Sequence, residues 1–336
     1  MDETSEMKPY QTMRGHTGLV NGIAHLPDGR RVMTCSKDGS LRLWERESGT
    51  QIGDDWRDDG DEEDEEEVGS MALSPNGKTV ASGSGDGTVR LWDIETRKVT
   101  AKWTGHTLLV RSVSWSADGE RVASGSYDGT LRVWEVKSGE TVLGPIKTGY
   151  QDIDAVVYSP DASKIATGGY RETAVKLWDA RTGELLSTLK QDSWALSLTW
   201  TSDQKKLIVG YGDGTITVFN IATWQGIALD GSNRQPVTTI SLFQNDRLLA
   251  SGSYGKTARL WNLDTNLPVG SPLRHPDNVR AVALSADGKF LVTACEDNNV
   301  YVWDIHTILQ QAGLEDLSSV LNVSVCIAST FAFSLY

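Results

Sequence analysis

His16, Thr34 and Asp38 bring an imidazole, a hydroxyl and a carboxylate into one stretch of chain, and the same groups return at His106, Ser124 and Asp128 and at His275, Thr293 and Asp297. A hydroxyl activated by an imidazole that a carboxylate orients is the machinery of acyl transfer. The spacing argues against that chemistry. The step from imidazole to carboxylate is 22 residues in all three sets, so they read as copies of a structural unit. The GxSxG turn that lifts a nucleophilic serine out of a strand is also missing at these hydroxyls. The run Gly83-Ser84-Gly85-Asp86-Gly87 has the look of a phosphate cradle, but no lysine or helix follows it, and it reads as a hairpin. Cys35, Cys295 and Cys326 form no CxxC or other metal-ligand spacing, and neither cofactor nor metal is expected.

Each carboxylate is followed six residues later by tryptophan, and that tryptophan is the stronger signal. Trp44, Trp92, Trp134, Trp178, Phe219, Trp261 and Trp303 are separated by 48, 42, 44, 41, 42 and 42 residues, which means one unit copied seven times. Residues 105–142 show its content. An apolar run with Val110, Val113 and Trp115 closes on the turn Ser116-Ala117-Asp118-Gly119, and Val122 to Ser126 follows as a second strand. Tyr127-Asp128-Gly129 turns the chain into the alternating Leu131-Arg132-Val133-Trp134, and an edge segment starts at Thr141. A sheet of four such short strands is apolar on both faces and cannot stand alone. Seven of them arranged around an axis bury both faces, which predicts an all-β, seven-bladed β-propeller of four-stranded antiparallel blades. Each landmark ring then contributes on the order of 4–6 kcal/mol of gross burial, an upper bound, and belongs to the scaffold.

The pattern resembles the WD-repeat family over nearly the whole chain. Trp92-Asp93, Trp178-Asp179 and Trp303-Asp304 match the dipeptide that names it, Trp44-Glu45, Trp134-Glu135, Trp261-Asn262 and Phe219-Asn220 are variants, and Gly15-His16 and Gly105-His106 match the other end of the motif. The resemblance implies a buried hydrogen-bond tetrad in three blades: His16, Thr34, Asp38 and Trp44; His106, Ser124, Asp128 and Trp134; His275, Thr293, Asp297 and Trp303. Blade 2 keeps Ser82, Asp86 and Trp92 without the histidine, blade 4 has Tyr150 and Arg171 in place of histidine and aspartate, blade 5 has Val209 and Phe219, and blade 6 has Gly255 for aspartate. Blades 4 to 6 are therefore expected to be the softer side of the ring. The resemblance also implies closure by an N-terminal strand, and Lys8 to Arg14 stands where that strand would complete blade 7. The expected organisation is a disordered tail at 1–7, a propeller at 8–305 with an acidic loop insertion at 54–67, and a helical, then apolar, tail at 306–336.

The family resemblance places the loop before each first strand and the loop between the second and third strands at one end of the ring, where partners are read. The candidates there are Leu19, Lys37, Leu109, Tyr127, Tyr170, Arg171, Trp194, Tyr211, Tyr254, Arg280 and Glu296, among them the aromatic and arginine types that anchor protein interfaces. Charge adds a direction. The net charge is -13, and Asp54 to Glu67 carries eleven carboxylates against Arg57, which leaves -3 for the rest. Nucleic acid is not an expected direct ligand, because clustered Lys and Arg are lacking. A basic protein or peptide is the electrostatically easier partner, and the run is also able to hold divalent cations weakly. Residues 317–336 have no charge, thirteen apolar side chains and seven Ser, Thr or Asn, a poor composition for a membrane span. No secretory signal starts the chain, so the protein is expected inside the cell, in cytoplasm or nucleus. The expected function is a non-catalytic scaffold, one copy within a complex, that recognises a peptide or loop of a partner. The alternatives are a propeller enzyme or small-ligand binder using the central channel, or a structural subunit of a larger assembly.

Overall fold

Turns fix where the strands begin and end. Leu26 to Gly29, Ser74 to Gly77, Ser116 to Gly119 and Ser285 to Gly288 each close with a backbone hydrogen bond of 2.9–3.0 Å onto the carbonyl three residues back. The glycine takes a left-handed φ of 65–73° in all four, which costs it nothing. In blades 4, 5 and 6 the same position holds Ala162, Gln204 and Asp246, with φ of 55–61°. For residues with a side chain that conformation costs roughly 1–2 kcal/mol.

The computed structural model describes residues 7–58, 66–231, 235–243 and 245–314. Within them 27 strands make seven antiparallel sheets, six of them simple meanders of neighbours in sequence. Blade 1 is Val20–His25, Arg31–Ser36 and Leu41–Glu45. Its fourth position is occupied by a bulged segment that touches the third strand through the bridges Trp44 to Gln51 and Leu41 to Trp56. The other six sheets have four strands, and blade 7 obtains its outermost from the chain start. There Gln11, Thr12 and Met13 pair antiparallel with Val302, Tyr301 and Val300, as the sequence leads one to expect. Helix Ile305–Gln311 follows, capped by Asp304 and buried through Ile305, Ile308 and Leu309.

Seven apolar clusters lie one at each seam between blades. The seam that closes the ring joins Met13, Val20, Val32 and Trp44 to Val292, Val300 and Val302. All seven landmark rings are 1–5% exposed. In six blades the indole N–H donates to a strand hydroxyl at 2.8–3.0 Å, from Trp44 to Thr34, Trp92 to Ser82, Trp134 to Ser124, Trp178 to Thr167, Trp261 to Ser251 and Trp303 to Thr293. Blade 5 puts Phe219 against Val209, and the polar pair disappears together.

The polar chain is complete in blades 1 and 3. His16 Nε2 is 2.7 Å from Thr34 Oγ1 and its Nδ1 is 2.8 Å from Asp38 Oδ2, and His106 repeats this with Ser124 at 2.8 Å and Asp128 at 2.9 Å. Because the hydroxyl accepts from tryptophan, it donates to the imidazole, which in turn donates to the carboxylate. Blade 7 departs from the expected tetrad. His275 Nε2 is 2.7 Å from Thr293 Oγ1, but its Nδ1 faces the Leu273 carbonyl at 3.1 Å, and Asp297 accepts from the Tyr301 hydroxyl instead. The cause is the next residue. Thr17 and Thr107 each donate a backbone N–H to the tetrad carboxylate, whereas Pro276 has none to give. In blade 4, Tyr150 replaces the imidazole with its hydroxyl 2.9 and 3.0 Å from the carbonyls of Thr167 and Ala174.

Replacing Ser124 by alanine strands the Trp134 N–H and an imidazole nitrogen in a fully buried site. Each orphan costs about 1–3 kcal/mol. Denaturant unfolding of Ser124→Ala is expected to show that loss, and a Thr at this position, as in blades 1 and 7, to restore it.

Candidate functional site

A triad chemistry at the tetrads is ruled out by their burial. Thr34, Ser124 and Thr293 are each 0% exposed, and each hydroxyl already accepts an indole N–H and meets an imidazole. Among the described residues no group of three or more His, Cys, Asp and Glu is placed to hold a metal ion.

What the fold does assemble is a collar at one end of the ring. In every blade a backbone hydrogen bond of 2.7–3.2 Å ties the loop before the first strand to the turn after the second. Lys37 N–H donates to Leu19, Gly85 to Glu67, Tyr127 to Leu109, Gly212 to Trp194, Tyr254 to Pro236 and Glu296 to Asn278, while in blade 4 the direction reverses, from Gln151 to Tyr170. These seven bonds bring the two sets of loops to the same end.

Inside the collar lies a second sevenfold feature. The pairing of first and second strands slips near the start of every first strand, at Asn21, Gly69, Arg111, Asp154, Leu196, Thr238 and Arg280. A bulge re-aims the side chain of its extra residue. Several of these reach to a neighbouring blade: Asn21 donates to the Val68 carbonyl at 3.0 Å, Arg111 to Gly69 at 2.8 Å and Thr238 to Val279 at 2.6 Å. Arg280 instead meets Glu296 at 2.6 Å, and Asn278 donates to the same carboxylate at 2.8 Å. The Arg280 guanidinium also lies 6.0 Å from the ring centre of Tyr254.

The sequence-derived candidates fall into three groups. Tyr170 and Tyr254 are exposed at 38% and 37%, and Lys37 and Arg171 are exposed with them. Leu19, Leu109, Tyr127, Trp194, Arg280 and Glu296 are half-buried in the collar. Tyr170 and Trp194 meet edge to face at 5.4 Å, and the Arg171 guanidinium lies 5.7 Å from the Tyr170 ring, so an aromatic step bridges blades 4 and 5. Tyr211 does not belong here. It is 2% exposed and packed into the seam between blades 4 and 5, because it is the last residue of strand Lys206–Tyr211 and alternation turns it inward. Its neighbour Gly212 holds the collar position, with Trp194 lying against it.

Arg111, Asp152 and Asp154 were not among the sequence candidates. Burial raises the Asp154 carboxyl to about 6, opposed by Arg111 and reinforced by Asp152. The Tyr127 hydroxyl is pushed up chiefly by burial, with Asp154 and Asp152 adding to it and Arg111 opposing. Aligning the seven repeats one residue past the first apolar position of each inner strand gives Arg111 and Asp154, so the signal was present in the sequence.

The acidic run is not a uniform loop. Trp56 is 2% exposed in the seam between blades 1 and 2, Asp55 pairs with Arg42 at 2.8 Å, and Asp58 pairs with Arg90 at 3.0 Å and Lys102 at 3.3 Å. Arg97 Nη1 lies over Gly53 and donates to the Ile52 carbonyl at 3.3 Å. At the far end Glu67 accepts from Asn21 at 3.0 Å. Residues 59–65 of the predicted insertion lie outside the described residues, as do residues 1–6 and 315–336 of the predicted tails. Among the described residues no helix is long and apolar enough to cross a membrane.

Comparison with known proteins agrees with this architecture. The family model described as IFT122 first beta-propeller matches residues 67–271, and that described as WD domain, G-beta repeat matches residues 7–45 and 268–304. Similar curated proteins include a periodic tryptophan protein 2 homolog of Dictyostelium discoideum, 24% identical over 49% of this chain and 23% of its own length. A striatin homolog of the same organism is 22% identical over 53% of this chain and 22% of its own. The spindle assembly checkpoint protein bub3 of Schizosaccharomyces pombe is 27% identical over 48% and 50%. The chain spans less than a quarter of the length of the first two. Seven seams, six indole-to-hydroxyl bonds and matches over residues 7–45 and 67–304 make the chain a member of the WD-repeat β-propeller family, similar over most of its middle to the first propeller of IFT122.

Proposed function

We propose that the protein is a non-catalytic scaffold inside the cell that recognises an extended segment or loop of another protein on the collar, and that the segment is basic. The observation that carries this reading is the collar itself, where paired loops of all seven blades present the Tyr170–Trp194 step, Tyr254 and the ring of bulged side chains at one end. Exposed aromatic rings beside guanidinium groups supply large contact area at low entropic cost, which is what binding surfaces concentrate. Burial pushes the Cys35 and Cys295 thiols up to about 12, so both are unreactive packing groups, as suits a reducing compartment.

The basic character of the partner rests on charge. The eleven carboxylates between Asp54 and Glu67 lead into blade 2, and Glu67 is itself a collar residue. Capture of partners by the intact protein, compared with Tyr170→Ala/Tyr254→Ala, is expected to lose the specific partner by about tenfold or more while melting stays unchanged. Replacing Asp59, Asp61, Glu62, Glu63, Asp64 and Glu65 by Asn or Gln, with Asp58 and Glu67 left to their ion pair and hydrogen bond, is expected to weaken capture and flatten its dependence on salt. Capture insensitive to both changes would move the partner surface off this end.

A further inference from the structure

The outer edge of a blade presents a row of free backbone N–H and C=O groups to any other strand, and short length, proline, bulges or charge normally disarm it. Most of this ring is guarded in that way. Blade 1 has a bulged segment in place of a fourth strand. The outer strands of blades 5 and 7, Gly226–Ala228 and Gln11–Met13, are three residues long. Thr141–Lys147 in blade 3 holds Pro145 and slips twice against its neighbour, and Leu267–Arg274 in blade 6 holds Pro268 and Pro272. In blade 2, Lys102 stands inside Val99–Trp103 and joins Asp58 of the incoming loop at 3.3 Å. Blade 4 differs. Its outer strand Leu185–Lys190 runs six residues without proline, its one slip lies at the start, and its only charge is the terminal Lys190. Leu185 and Leu186 on it are exposed at 50% and 49%.

We propose that Leu185–Lys190 pairs antiparallel with the same strand of a second copy of this chain, joining two fourth blades into one continuous sheet. The backbone phase allows it. Gln191 donates its N–H inward to the Thr173 carbonyl, so by alternation Leu189 and Ser187 also turn their backbone groups inward, and Leu186, Thr188 and Lys190 turn theirs outward. A two-fold axis through Ser187 then sets Leu186 opposite Thr188 of the second copy, each with outward groups to exchange. Charge complementarity in that register selects a second copy over an arbitrary strand. It brings the exposed Glu184 beside the exposed Lys190 of the other copy, once on each side of the axis. It also makes the two Leu186 side chains diagonal neighbours within reach of each other. Repulsion is small, because the net charge of -13 falls to -3 once the -10 of Asp54 to Glu67 is set apart, and that run enters at blade 2. A strand and its flanks bury less than the roughly 800 Å² per partner of a stable interface, so the association is weak, with a Kd on the order of 10–100 µM. The pairing points the two collars in opposite directions and leaves both open, so it is independent of what the collar binds.

Sedimentation equilibrium of the intact protein from about 1 to 300 µM is expected to show a monomer passing to a dimer. Thr188→Pro removes an outward N–H and spares the inward ladder, and Leu186→Lys places a charge on the edge. Each should weaken the dimer at least about tenfold while melting stays unchanged. A charge cycle tests the register. Glu184→Lys or Lys190→Glu alone should weaken self-association several-fold, and the two together should restore it. If Thr188→Pro lowers the melting temperature, Leu186→Lys and the charge cycle decide. A chain that stays monomeric across the whole range would overturn the proposal. So would a dimer indifferent to Leu186→Lys, a double charge swap that restores nothing, or protection of the Leu186 and Thr188 amides from exchange that appears only when cell extract supplies another strand.

Discussion

A chain lacking residues 1–13 is expected to melt at least about 5 °C below the intact protein and to unfold with reduced cooperativity. The strand Gln11–Met13 is three residues long, yet it supplies the whole outer edge of blade 7. Its loss removes the ladder to Val300, Tyr301 and Val302 and the Tyr10 N–H bond to the Val302 carbonyl at 2.7 Å. It also removes Met13, 1% exposed in the seam that joins blades 7 and 1. A buried methionine alone is worth about 2–5 kcal/mol, and for a domain this large each kcal/mol moves the midpoint by about 1.5 °C. The point substitution Met13→Asp should give much of the effect by burying a carboxylate in the same seam. Scanning calorimetry of both variants checks this, and an unchanged midpoint would mean that the ring holds without its clasp.

Much of this architecture is legible in the sequence because the repeat is carried by large, buried and therefore constrained side chains. The landmark rings fix the number of blades, and the missing outer strand after Trp303 together with Lys8 to Arg14 fixes the closure. Local exceptions are harder, since they depend on a neighbour. Pro276 after His275 is visible in the sequence, but its effect on Asp297 depends on knowing that Thr17 and Thr107 use their backbone N–H to hold the carboxylate. Tyr211 ends its strand facing the seam with blade 4 beside Leu207 and Val209, and the collar position falls one residue later, at Gly212 in the turn. The acidic run reads as uniformly solvated on charge alone, whereas Trp56 anchors its start and Arg42, Arg90 and Lys102 neutralise Asp55 and Asp58. Those cations are far away in sequence and become neighbours only through the blades. The bulge ring was within reach, because it follows from aligning seven equivalent positions, yet nothing in a single repeat marks it.

Acid acts first on two imidazoles that flank blade 7, His275 in its seam with blade 6 and His25 across its seam with blade 1. Burial lowers His275 to about 4 from an ordinary 6.5, against the Leu273 carbonyl and Asp297, which both pull it upward. His25 falls to about 4 as well, through burial first, with Arg46 lowering it and the Ala283 carbonyl and Asp287 opposing. His25 reaches from blade 1 to that carbonyl of blade 7 at 3.2 Å, and His275 packs 5.2 Å from Trp303. Both imidazoles stay neutral in the folded protein while the unfolded chain takes up a proton at each. Stability is therefore full above about pH 6.5 and falls as pH drops toward 4, by up to about 3 kcal/mol for His275 and less for the half-buried His25. Asp38 and Asp128 act in a lower window. Burial pushes both carboxyls up, but hydrogen bonds from His16 and Ser40, and from His106 and Thr130, outweigh it and hold them well below the carboxylate range. Their contribution is present above about 4 and is lost only on further acidification. Denaturant unfolding across pH 7.5 to 4.5 should accordingly show a slope that His25→Gln/His275→Gln flattens, although this variant starts less stable at neutral pH. An unaltered slope would place the acid sensitivity elsewhere in the ring and leave these two imidazoles as plain packing groups.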